Sequence, residues 1–65
     1  MNGRYVWRDE FERELWNGVA RFAFAGQRRQ AENLAHLAKG YAAGIEQDEV
    51  LARIEAGELE RTVTL

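Results

Sequence analysis

Apolar side chains recur along the first part of the chain in steps of three and four: Trp7, Phe11, Leu15, Gly18, Val19, Phe22 and Gly26. On a helical wheel these positions share an arc of roughly 120°, the pattern of a helix with one face turned to a core. Asp9 is a plausible N-cap. The early acids Asp9, Glu10, Glu12 and Glu14 complement the positive end of the helix, Arg21 lies nearer its C-terminus, and Gly26 is a natural stop. The pattern predicts a first helix over about residues 8–25.

A second stripe runs through Ala31, Leu34, Ala35, Leu37, Ala38, Tyr41, Ala42 and Ile45, which predicts a helix over about 27–43 ended by Gly44. Alanines make up much of this stripe, so another backbone can approach it closely. Large aromatics on the first helix and small residues on the second are complementary in volume, as a packed hairpin requires. Gly40 costs about 1 kcal/mol against alanine inside a helix, so it implies a packing reason or a weak point. Asp48 then reads as the cap of a short third helix over about 48–56, with Val50, Leu51 and Ile54 inward and Gly57 closing it. The opening RYVW and the tail ERTVTL alternate polar with β-branched or aromatic residues, a strand signature. The two ends could pair as a short two-stranded ribbon, which at that length would have to pack on the helices or extend across a dimer. The expected architecture is therefore a single all-α domain spanning 1–65, a small bundle with that ribbon as a possible addition.

Six of the seven aromatic residues fall in the first 24 positions, so the front third of the chain carries most of its capacity to bury surface. Phe24 points away from the apolar stripe, toward the side shared by Arg13, Asn17, Ala20 and Arg21, and Trp16 sits at the boundary. Charge is also uneven. Residues 1–39 carry +2 and residues 40–65 carry −4, for a net −2, and eight of the nine basic residues are arginine. Arginine suits bidentate pairing with carboxylate or phosphate. The mildly acidic whole argues against general affinity for nucleic acid.

At 65 residues and without cysteine, neither disulfides nor thiolate zinc can stabilise the fold, which leaves oligomerisation or a partner as the remaining staple. No apolar run is long enough to span a bilayer, and MNGRYVWRDE lacks the apolar stretch of a secretory signal, so a cytoplasmic setting is expected.

No serine or cysteine nucleophile exists, nor any phosphate-binding glycine motif. His36 is the sole histidine, and with Glu32 it supplies at most two ligands, so we read it as a solvated surface residue and expect no metal or cofactor. Asp9 with Arg13 and Glu10 with Glu14 read as helix-surface neighbours rather than a catalytic pair, which would need a cleft. No catalytic residue is assigned.

Arg28 and Arg29, flanked by Gln27 and Gln30, form a basic knot at the start of the second helix, with Arg21 one turn before it. Phe24 and Trp16 are either core, covered by the third helix or a terminal strand, or interface residues, since aromatics flanked by arginine have the composition of a hot spot. The segment LAKGYAAGIEQDEVLARIEAG loosely resembles the helix-turn-helix of phage-repressor-like proteins through Leu37, Ala38, Gly44, Ile45, Val50, Ile54, Glu55 and Gly57. That resemblance implies DNA binding, yet Glu46, Asp48 and Glu49 stand where repressors present base-contacting groups.

The leading expectation is a non-enzymatic interaction protein that binds a partner protein or a second copy through Trp16, Arg21, Phe24, Arg28 and Arg29, with a homodimer expected. Size and composition suggest, by analogy alone, a phage or mobile-element regulator or inhibitor of the anti-CRISPR kind, in which Glu46–Glu49 imitates nucleic-acid charge or docks on a basic surface. The alternative is a DNA- or RNA-binding regulator with a degenerate helix-turn-helix.

Overall fold

The extended backbone of Asp9 lets its carboxylate accept the Glu12 N–H at 3.1 Å, and α1 (Glu10–Phe24) starts from that cap. The structure, a computed structural model, describes residues 5–62. Gly26, at φ +77°, takes the left-handed turn that stops α1, and the Gln27 N–H bonds back to the Phe22 carbonyl at 2.9 Å. The chain then re-enters α2 (Arg28–Ala42). Two close approaches fix the antiparallel register of this hairpin. Phe11 meets Tyr41 edge to face with ring centroids 4.9 Å apart. Gly18 lies against Leu34, near enough that a Cβ on the glycine would stand 2.8 Å from Leu34 Cδ2.

A short connection through Gly44 leads to α3 (Gln47–Glu55), and a 3-10 turn (Glu58–Glu60) follows. The core joins Leu15, Leu34, Leu37, Ala38, Tyr41 and Val50, with Phe11, Val19, Phe22, Ile45, Ile54 and Leu59 packed around it. Gly40 has the packing reason its position implied. A Cβ there would lie 2.7 Å from Ile45 Cδ1, so the glycine makes room for the residue that turns the chain toward α3.

The all-helical expectation holds, and several details change. Trp7 precedes α1 and is 40% exposed, resting edge to face on Tyr5 instead of leading the helical stripe. Glu46, not Asp48, occupies the cap position of α3, and Asp48 sits inside the first turn, where its charge still suits the helix start. Leu51 is 42% exposed, because Val50 and Ile54 are one turn apart on the buried face and Leu51 is rotated off it. The possible β-ribbon is not borne out, since no strand occurs among the described residues. The ends bond to helices instead, the Tyr5 hydroxyl to Glu12 and the carbonyls of Leu59 and Arg61 to Asn33. The remainder of the possible ribbon, residue 4 and residues 63–65, lies outside the described residues. No helix among those described is long and apolar enough to cross a membrane.

Candidate functional site

The five residues singled out in the sequence separate into two places. Phe24, the last residue of α1, is 93% exposed. Its position lies about 200° around the helix from Phe22, which packs against the core, so the face that buries one must expose the other. Arg21, Arg28 and Arg29 are exposed beside the same α1–α2 turn, as are the small residues Ala20, Ala23 and Ala25. Neither Arg28 nor Arg29 makes an ion pair among the described residues. The start of α2 has no side-chain cap and no acid in its first turn, so the local field is positive.

Trp16 does not join this patch. It lies two turns back, about 12 Å along the helix axis, half-buried against the core, and its indole N–H donates to Glu12 at 3.0 Å. Trp16 takes the core alternative, and Phe24 is exposed instead of being covered by the third helix or the described part of the tail.

Glu12 is the residue that sequence reasoning missed. It is fully buried, at 0% exposure, and its carboxylate accepts from the Tyr5 hydroxyl, the Arg8 N–H at 2.5 Å and the Trp16 indole. Burial pushes the carboxyl up, but the three donors outweigh it and hold Glu12 below its ordinary pKa. The signal was present as the capping-box spacing from Asp9 to Glu12, with Trp16 one turn further on. Here the box is shifted by one residue, since Glu12 takes the N–H of Arg8.

Around Glu12 the segment before α1 is fastened to both helices. The Tyr41 hydroxyl donates to Asp9, which lowers the Asp9 carboxyl and raises the Tyr41 phenol. Tyr5 is raised in the same way by donating to Glu12. The Arg8 guanidinium lies 4.1 Å from the centre of the Tyr41 ring and donates to the carbonyls of Tyr41 at 3.0 Å and Ile45 at 2.8 Å. These last two carbonyls belong to the end of α2 and the turn after it, where helix bonds run out. Asp9 is thereby committed to the cap and to Tyr41, and Arg13 pairs with Glu10 instead.

His36 is exposed, on the rim of a groove that also involves Asn33, Arg53 and Arg61. Among the described residues no group of three or more histidines, cysteines, aspartates or glutamates is placed to hold a metal ion. Comparison with protein-family models, with curated proteins and with solved structures gives no match.

Proposed function

We propose that this chain is a non-enzymatic protein-interaction module, a regulator or inhibitor that acts by burying the Phe24 patch against a partner protein. The observation that carries the reading is the 93% exposure of Phe24 beside three exposed arginines. Exposed aromatic residues ringed by arginine are the composition of binding hot spots. A phenylalanine this open on a small domain leaves apolar surface that soluble proteins usually cover.

The patch has two candidate occupants. A second copy related by a two-fold axis near Phe24 covers both phenylalanines at once, with His36 further from the axis. It also sets Arg21, Arg28 and Arg29 near their own copies, so added salt strengthens such a dimer. An acidic-rimmed pocket on a foreign protein is weakened by salt instead. Sedimentation of the parent and of Phe24→Ala across salt concentrations, followed by capture of partners from the source cell with the same pair of proteins, tests the reading. Equal self-association and equal capture by the two proteins overturn it.

A nucleic-acid-binding reading is supported by one feature, the short Gly44 turn between α2 and α3, whose length matches a helix-turn-helix connection. The exposed Glu46, Asp48 and Glu49 at the start of α3 oppose phosphate. A mobility shift at low salt with micromolar protein decides it.

A further inference from the structure

Asn33 faces outward from α2, and its amide donates to two carbonyls of the C-terminal arm, Leu59 at 2.9 Å and Arg61 at 3.0 Å. This clasp lays Arg61 and Thr62 over α2 beside Arg28 and Arg29, and together with Glu32 they line one depression. A second depression shares Asn33, Arg61 and Thr62 with the first and continues over Leu37 and Ile45 to His36, Arg53 and Glu58. The two make one groove along α2, lined by four arginines against two glutamates in a chain of net charge −2.

The arginines have donors to spare. Arg28 and Arg29 make no ion pair among the described residues, and the pairs Arg53–Glu49 and Arg61–Glu58 are single solvent-exposed contacts at 3.0 and 3.2 Å. Such pairs hold their partners weakly and exchange readily for a better-placed carboxylate.

We propose that this groove binds an acidic peptide segment of a partner protein, with carboxylates held by Arg28, Arg29 and Arg61 and the chain of the peptide running over Leu37 and Ile45 toward His36 and Arg53. The proposal rests on the partner-binding reading above and adds the chemistry of that partner. A peptide fits better than nucleic acid for two reasons. The lining holds no tryptophan, tyrosine or phenylalanine, so stacked bases would have only the single His36 ring and the arginine planes to rest on. A duplex, with a charge every ~1.7 Å, would also overrun the groove onto the exposed acids at the start of α3. A single extended peptide stays within it.

The test is fluorescence anisotropy at low salt with a labelled oligoglutamate peptide, with oligothymidylate and inorganic phosphate as competitors. The parent should bind the peptide, and affinity should fall as salt rises. Arg29→Ala and Arg61→Ala should each weaken it about three- to tenfold, the size of an exposed to partly desolvated charge-assisted bond. Asn33→Ala should weaken it comparably, because it frees the arm that carries Arg61. Phe24→Ala should leave the peptide affinity unchanged even where it abolishes capture of the natural partner, which separates the groove from the Phe24 patch. No peptide binding by the parent, tighter binding of oligothymidylate, Arg61→Ala and Asn33→Ala binding like the parent, or Phe24→Ala losing the peptide as Arg61→Ala does would each overturn the proposal. Arg61 is exposed, so its alanine variant should melt like the parent and its binding loss cannot be assigned to unfolding.

Discussion

The Trp16 indole N–H and the buried Glu12 carboxylate are joined by a 3.0 Å hydrogen bond one helical turn apart, at the point where the segment before α1 docks on the hairpin. Three donors converge on that carboxylate, and none carries a full charge. Glu12 is therefore held by hydrogen bonds and by the positive start of α1, not by an ion pair.

Glu12→Ala strands the Tyr5, Arg8 and Trp16 donors together and should lower Tm by on the order of 10 °C. Glu12→Gln keeps the size and one acceptor, so it should lose less. A thermal melt followed by circular dichroism, with Trp fluorescence in a Trp7→Phe background as a local reporter of Trp16, checks both. Equal Tm for all three proteins would show that the buried carboxylate does not fasten the arm.

The same contacts give a pH profile with two edges. Asp9 and Glu12 have lowered pKa values in the fold, so their contribution is present above the ordinary carboxylate pKa of about 4 and is lost as pH falls below it. Tyr5 and Tyr41 are raised, so their contribution is present below about pH 10 and is lost as pH rises through their folded values. Urea midpoints should be flat between these limits and fall on both sides. Tyr41→Phe removes the hydroxyl that Asp9 accepts, and should shrink the drop at each edge.

Two glycines should respond differently to alanine. At Gly18 the added Cβ meets Leu34 Cδ2 at 2.8 Å, and Leu34 is buried at 6% exposure with nowhere to swing. Gly18→Ala should therefore lose about 1 kcal/mol or more despite its better helix propensity. At Gly40 the obstacle is Ile45 Cδ1 at 2.7 Å, on a half-buried side chain that can rotate outward, so Gly40→Ala should be near neutral. Leu34→Val removes the clashing atom, and combining it with Gly18→Ala should give less than additive loss.

Asn33→Ala deletes both bonds to the arm and should cost about 1–2 kcal/mol. Backbone amides after Gly57 should then exchange faster with solvent, while those of α1 stay protected. Unchanged exchange across residues 58–62 would show that Leu59 packing alone holds the arm.

Phe24→Ala should leave monomer stability within about 0.5 kcal/mol, since the side chain touches water and not the core. Self-association or partner capture should be what changes.

The helices were legible because their information is local. The three- and four-residue recurrence from Phe11 to Phe22, the Asp9 cap and the stops at Gly26 and Gly44 act within one or two turns, and each reappears in the fold. Even the outward direction of Phe24 follows from its angle on the wheel. Tertiary structure decided what depends on residues far apart in the chain. Trp16 turned inward because Glu12 waits one turn below it, held by Tyr5 and Arg8 from outside the helix. Among the described residues the tail does not pair with the opening, and the carbonyls of Leu59 and Arg61 accept instead from Asn33, 26 and 28 residues away, which offers two bonds on α2 where a lone ribbon offers few. Periodicity fixes which face a side chain takes. Which distant group meets it there is settled only when the hairpin closes and brings Tyr41 to Asp9, and when the Asn33 clasp lays Arg61 beside Arg29.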